Sequence, residues 1–251
     1  MIKEGETVHL TDNKTSFFLK LKKGEKFGTH KGTIEHNEII QKNYGDYIKT
    51  HKGHKFQILK PTLYDIIMFG IKRKTQIIYP KDSAYITLKL GLRSGMKVLE
   101  SGIGSGALSI VMANAVYPDG KIYAYEKEEK HIEVAKQNLE FAGFSEIVEI
   151  FHKDLSEVEE ENFDAAFIDV REPWLYIKKL KGLLKKGSPI GFLVPTVNQI
   201  ILLLEELNKN NFIQIETMEI LLRKYKPVPD RLRPEDRMVA HTGYLIFAKN
   251  G

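Results

Sequence analysis

The stretch that decides the fold is Val98-Leu99-Glu100-Ser101-Gly102-Ile103-Gly104-Ser105-Gly106-Ala107-Leu108. It reads as a short apolar strand, a tight glycine turn and the start of a helix. Gly102 and Gly104 let backbone approach a ligand closely, and Gly106-Ala107 lets a helix pack closely on its strand. The motif taken alone is ambiguous, because Gly102, Gly104 and Ala107 also fit the dinucleotide pattern G-x-G-x-x-[G/A]. Three carboxylates, one of them common to both cofactor classes, together tilt the reading toward a methyl donor, S-adenosylmethionine. Glu100, two residues before the first glycine, suits a positively charged amino-acid end and repels a pyrophosphate. Glu126 ends the next strand, where an acid binds ribose hydroxyls in either cofactor class. Asp154 follows the third strand, placed to accept from an adenine amino group.

Outward from the loop, strand and helix patterns alternate. Lys121 to Glu126, Ile147 to Phe151, Ala165 to Ile168 and Ile190 to Val194 read as strands. Leu108 to Val116, Glu128 to Ala142, Pro173 to Leu184 and Asn198 to Asn208 read as helices. Helix 128–142 carries Ile132, Ala135, Leu139 and Ala142 on one face and ends at Gly143. Such alternation predicts an α/β fold with a doubly wound, Rossmann-like parallel sheet. Two closing strands without an intervening helix, Phe212 to Leu222 and Tyr244 to Ala248, predict an antiparallel C-terminal edge. Upstream, Pro61 opens a helix over Thr62 to Phe69 closed by Gly70, and Asp82-Ser83 has the composition of a helix N-cap. Residues 1–60 read as a small β-rich module of short strands punctuated by glycine. The expected division is therefore a module at 1–60 and a donor-binding domain at 61–251.

The 251 residues carry 38 basic and 33 acidic side chains, a formal charge of +5. Residues 1–60 hold 12 lysines, no arginine and 7 acids, so the whole surplus sits in the first module. A basic attachment on a neutral body points to a polyanionic partner. There is no cysteine, which excludes disulfides, thiolate zinc sites and a cysteine nucleophile. The sequence offers no metal ligand set, no secretion signal and no apolar run long enough for a membrane span, so a soluble cytoplasmic protein is expected.

The reacting end is expected at Phe167-Ile168-Asp169-Val170-Arg171-Glu172-Pro173-Trp174. Asp169 closes a parallel strand and points toward the ligand crevice. In amino-methylating enzymes such an acid, followed by a proline and an aromatic residue, accepts hydrogen bonds from an exocyclic amine. Methyl transfer to a ring nitrogen needs no covalent enzyme intermediate, so positioning and charge complementarity would carry the rate.

Together these segments resemble the tRNA adenine-58 N1-methyltransferase family. The resemblance rests on Lys74-Thr75-Gln76-Ile77-Ile78-Tyr79-Pro80-Lys81-Asp82, on Leu99 to Leu108, on Asp169 with Pro173-Trp174, and on Arg237-Met238-Val239-Ala240-His241-Thr242-Gly243-Tyr244-Leu245. It covers roughly residues 60–250. It implies S-adenosylmethionine as donor, N1 of adenine 58 in the tRNA T-loop as acceptor, with adenine 57 used by some members, and a homotetramer. Carried over by position, it implies donor contacts at Gln76, Glu100, Gly102, Gly104, Ser105, Gly106, Ala107, Glu126, Asp154 and Asp169, a catalytic role for Asp169, and Tyr79 in the adenine pocket. Two departures stand out. Arg171 occupies a place where the family usually has proline, and Ile103 one where threonine is commoner. Intact glycines and acids argue against the alternative of a non-catalytic tRNA-binding subunit. The basic module and the C-terminal segment argue against another methyltransferase substrate class. The lysines of residues 1–60 and the basic run from Arg223 to Arg237 are the expected tRNA-gripping surfaces.

Overall fold

A computed structural model describes all residues, 1–251. The chain divides into two compact units, Met1–Lys72 and Arg73–Gly251.

The first unit is built on short strands: β1 (Thr7–Thr11), β2 (Ser16–Lys20), β3 (Lys26–Thr29), β4 (Gly32–Glu35), β5 (Tyr47–Lys49) and β6 (Lys55–Leu59). Four of them form an antiparallel sheet in the order β2-β1-β6-β5, and β3-β4 is a separate hairpin. Alternation along the strands buries Val8, Leu10, Leu19, Ile48, Phe56 and Ile58 on one face, where they form much of this unit's core. A short helix, α1 (His36–Ile40), adds Ile39 to that core; the sequence pattern does not announce it. The expected helix at 62–69 exists in altered form. Thr62 is its N-cap in a capping box with Asp65, so Pro61 precedes the cap instead of filling the first turn. After α2 (Leu63–Asp65) the turn widens to i→i+5 bonding over Ile66–Gly70, which keeps Ile66 and Ile67 buried.

The second unit opens with α3 (Pro80–Lys89). Here the sequence expectation needs correction. The N-cap is Tyr79, with Pro80 in the first turn, and Asp82 and Ser83 lie inside the helix and are buried. Asp82 bonds Lys81 and receives the Thr242 hydroxyl, so its polarity serves the interior and not a helix end. There follow β7 (Lys97–Ser101), α4 (Ala107–Val116), β8 (Lys121–Glu126), α5 (Glu129–Ala142), β9 (Val148–His152), β10 (Ala165–Ile168), α6 (Ile177–Leu183), β11 (Pro189–Val194), α7 (Val197–Lys209) and β12 (Phe212–Met218). The two-residue strands β13 (Tyr225–Lys226) and β14 (Arg233–Pro234) pair in the loop before β15 (Tyr244–Asn250). Pro173–Tyr176 forms a tighter 3₁₀ turn ahead of α6, so the expected helix at 173–184 has two parts.

The seven-stranded sheet runs β12-β15-β11-β10-β7-β8-β9. Strands β7 to β11 are parallel, as the alternating pattern predicts. The C-terminal edge is antiparallel, with β15 inserted between β11 and β12. From β7 the chain moves outward through β8 and β9, then returns to place β10 on the other side of β7. That reversal opens a crevice at the carboxyl ends of β7 and β10, where open α/β sheets bind ligands. One core packs on the sheet around Leu99, Phe163, Ile168, Phe192 and Ile246.

Candidate functional site

At the reversal the backbone is tightly specified. The amide of Asp169 donates to the carbonyl of Ser101 at 2.8 Å, and that of Gly102 donates to the carbonyl of Tyr125 at 3.0 Å. A β-carbon at Gly102 would sit 2.0 Å from the Asp169 carbonyl oxygen, so no other residue fits between these two strand ends. Gly102, Gly104 and Gly106 all have positive φ, and Gly106 enters α4 in the left-handed region. Three glycines in five residues are thus a backbone requirement of this turn.

One cleft collects most of the residues singled out from sequence. Gln76, Glu100, Gly102, Gly104, Ser105, Ala107 and Asp169 line it, together with apolar Ile77, Ile78, Ile103 and Leu108. Gly106 lies behind it, its α-carbon side facing Ala135 of α5 at close range. Tyr79 is tied to the cleft wall by accepting from the Gln76 amide at 3.1 Å. Glu126 adjoins the cleft: its carboxylate accepts from the amides of Gly104 at 3.3 Å, Lys127 at 2.9 Å and Glu128 at 3.0 Å, with His131 at 3.5 Å. Asp154 stands apart from that lining, at the end of β9. It caps the 3₁₀ turn at 155–157, pairs with Lys127 at 2.9 Å and accepts from Tyr176 at 3.2 Å. Burial pushes its carboxyl up, but the hydrogen bonds from Ser156 and Lys127 prevail and hold it well below the usual range.

The electrostatics of the cleft favour a cation. Glu100 is only 2 % exposed, and its Oε2 has no hydrogen-bond partner. Burial pushes its pKa up to about 8, with Ser109 pulling down and the charges of Asp169 and Glu126 adding to the rise. Asp169 is raised to about 7, chiefly by burial and then by Glu126. Two carboxyls held near neutrality beside a third are costly unless positive charge arrives among them. A ligand with a cationic centre, an apolar body that fits Ile77, Ile78 and Ile103, and hydroxyls for Glu126 matches this chemistry.

The loop is braced from two sides, on one of them by Asn138, which the sequence reading passed over. Ser105, expected to face the ligand, spends its hydroxyl on the Lys74–Thr75 segment: it bonds the Thr75 hydroxyl at 2.9 Å and accepts from the Lys74 amide at 3.2 Å. Asn138 of α5, 2 % exposed, donates to the Ser105 carbonyl at 2.8 Å. Its signal was present as a polar residue on the apolar stripe of α5, one turn beyond Val134 and Ala135. Lys81 and Asp82 are almost completely buried as an ion pair, and Lys81 also donates to the Ile220 carbonyl and the Thr242 hydroxyl, each at 2.7 Å. His241 bonds Glu219 at 2.7 Å and the Pro195 carbonyl at 3.0 Å, fastening the segment before β15. Arg171 is exposed, its carbonyl held by Gln199 at 3.1 Å, and Trp174 packs against the main core. No group of three or more His, Asp or Glu stands ready to hold a metal ion, and no helix is long and apolar enough to cross a membrane.

Comparison with known proteins bears on this cleft. The family profile described as "tRNA methyltransferase complex GCD14 subunit" matches residues 56–232, and the profile described as "TrmI-like N-terminal" matches residues 1–48. A protein of Methanocaldococcus jannaschii named tRNA (adenine(57)-N(1)/adenine(58)-N(1))-methyltransferase TrmI is 31 % identical, over 96 % of this chain and 93 % of that protein. The structure titled tRNA (m1A58) methyltransferase TrmI from Aquifex aeolicus superposes with a TM-score of 0.82 at 42 % identity, over 99 % of this chain and 98 % of that one. A Thermotoga maritima structure titled SAM-dependent O-methyltransferase gives 0.88 at 45 % identity, over 99 % of this chain and 94 % of the other.

Proposed function

The chain belongs to the family of tRNA methyltransferases described as the GCD14 subunit family, TrmI among its relatives, and on that premise we infer that it transfers a methyl group from S-adenosylmethionine to N1 of adenine 58 in the T-loop of tRNA. The observation that carries this reading is the cleft between β7 and β10. Its glycine turn, its apolar walls and the unpartnered carboxyl oxygen of Glu100 suit a ligand that is cationic and partly apolar. A pyrophosphate facing Glu100, Glu126 and Asp169 would be repelled, which sets aside a dinucleotide.

S-adenosylmethionine supplies an electrophilic methyl group on a positively charged sulfur. The chain's own part is to bind, orient and complement charge. We assign Glu126 to the ribose hydroxyls, since three backbone amides already fix its carboxylate. Asp154 is assigned to the adenine amino group of the donor and Glu100 to its cationic amino-acid end. The turn from Gly102 to Ala107 and Gln76 frame the donor. Asp169 is assigned the catalytic role. Ionised, it accepts a hydrogen bond from the exocyclic amine of the target adenine and complements the positive charge that grows on the ring as N1 is alkylated. Tyr79, held by Gln76, forms the wall against which that base rests. Adenine 58 lies within folded tRNA, so the base must be extruded to reach Asp169.

The chain's second proposed feature is a division of labour. Residues 1–60, with the link to Lys72, grip tRNA, and residues from there to 251 carry the transfer. A homotetramer working in the cytoplasm is part of the same proposal. What supports the assembly, though not its number of subunits, is the set of apolar side chains exposed between residues 221 and 239, among them Leu221, Leu222, Leu232 and Val239, which a subunit interface would cover. Light scattering giving a monomer mass would reject the tetramer.

Incubation with labelled donor and unmodified tRNA, followed by nucleoside mapping, tests the activity. N1-methyladenosine at position 58 is expected, and the map also reports whether 57 is used. An O-methylated product, the chemistry named in the Thermotoga title, would overturn the assignment.

A further inference from the structure

We propose that the outer face of the sheet β2-β1-β6-β5 is a stacking surface for unpaired nucleotides of the tRNA, a proposal that rests on the tRNA-methylating function. Cross-strand partners share a face of a sheet. The registers His9↔Phe18, His9↔Leu59, Tyr47↔Gln57, Lys49↔Lys55 and Thr7↔Lys20 therefore put His9, Phe18, Tyr47, Lys20, Lys49 and Lys55 on one side. Their neighbours in the chain, Val8, Leu10, Ile48 and Phe56, point into the core on the other. None of the seven carboxylates of residues 1–60 occupies a strand position on this outer face.

The rings are ordered. His9 stacks on Phe18 at 4.5 Å with planes 10° apart, and Phe18 lies against Phe69 at 6.2 Å and 20°. Tyr64 meets Phe69 edge-on. The ladder ends in the open, with Phe69 63 % exposed, and Tyr47 is 59 % exposed on β5. Aromatic faces alternating with cations and free of acids are what a base-stacking, phosphate-tracking surface requires. Of the acids that border it, Glu38 lines the hollow beside Lys49, and two others are engaged elsewhere. Asp65 bonds Thr62 in its capping box, and Glu35, which borders the same hollow as Lys49, pairs with Lys26 at 2.6 Å. Charge complementarity therefore favours RNA over a second copy of this chain as occupant.

Unmodified tRNA transcript is titrated with the full-length protein across a range of salt. Tyr47→Ala combined with Phe69→Ala is expected to weaken binding about tenfold, raising KM for tRNA while kcat at saturating tRNA and donor affinity hold, and to leave the salt slope unchanged. Lys49→Ala combined with Lys55→Ala is expected to reduce the slope of log affinity against log salt by about 1.5. Tyr47→Trp, which keeps a ring, is expected to retain wild-type affinity and so separates stacking from damage to the fold. Affinity within twofold of wild type in both double variants overturns the proposal, as does a change in assembly mass in their place. A wild-type protein that methylates no tRNA would sink the function itself. A wild type that methylates while both variants bind normally would sink the stacking surface alone.

Discussion

The α-carbon of Gly102 and the carbonyl of Asp169 are so close that a β-carbon on the glycine would lie 2.0 Å from that oxygen. The glycine turn and the end of β10 therefore set one another's position, and a change at either is felt at both.

Gly102→Ala is expected to weaken donor binding more than tenfold and to lower stability by a few kcal/mol, because the contact is with backbone and φ is positive. Gly143→Ala is the control: it also has positive φ but open space around it. That variant should lose only about 1 kcal/mol and bind donor normally. Calorimetry with thermal melts checks both, and normal donor binding by Gly102→Ala would refute the coupling.

Asp169→Asn should reduce kcat by roughly a hundredfold or more while the protein stays folded, since a neutral amide cannot offset the charge developing on the base. Burial, with Glu126 next in importance, raises the Asp169 pKa to about 7. Below that pH the carboxyl is protonated and carries no negative charge to offset the one that grows on the base. The rate should rise with pH up to about 7 and then level off, and a flat profile from pH 6 to 8 would count against the role.

Donor affinity should increase with pH. Glu100, raised to about 8 chiefly by burial, is protonated in the free protein at pH 6.5 and must ionise to meet a cation. Roughly tenfold tighter binding at pH 8.5 than at 6.5 is expected, with proton release visible by calorimetry in buffers of different ionisation heat. Stability without donor should run the other way. The folded pKa exceeds the unfolded value, so Glu100 stabilises at low pH and that contribution is lost as pH rises toward 8. Glu100→Gln should flatten both trends.

Lys81→Met should cost about 3 kcal/mol or more in a denaturant melt, because it strands Asp82 as a buried charge. Lys81→Met combined with Asp82→Asn should recover part of that loss; a double variant no more stable than Lys81→Met would show that the burial of charge is not the cause.

Asn138→Ala removes the 2.8 Å bond to the Ser105 carbonyl. An unsatisfied buried carbonyl costs about 1–3 kcal/mol, so a lower melting temperature is expected. Donor binding should weaken about fivefold as the loop loses its brace. Unchanged donor affinity would show that the Lys74–Thr75 segment suffices to hold Ser105.

The sequence by itself determined the elements whose information is local. The glycine turn, the strand ends at Glu126 and Asp169, the apolar stripe of α5 closed by Gly143, and the basic character of residues 1–60 all follow from periodicity, backbone freedom and charge. The doubly wound parallel class of the sheet follows from the strand and helix alternation, whereas its strand order does not. What only the tertiary structure decided are matters of who meets whom across long chain separations. Asp82-Ser83 has cap-like composition, yet Lys81 and Thr242 draw Asp82 inside, and a residue 160 positions away leaves no trace in the local pattern. Ser105 lines the cleft, as its place in the glycine turn suggests, and is also a brace, because Thr75 arrives beside it. Glu100 reads as a carboxylate. Only burial at the end of β7, with one oxygen left unpartnered, raises its pKa to about 8. Local conformational preference is written residue by residue, whereas desolvation is a property of the packed whole.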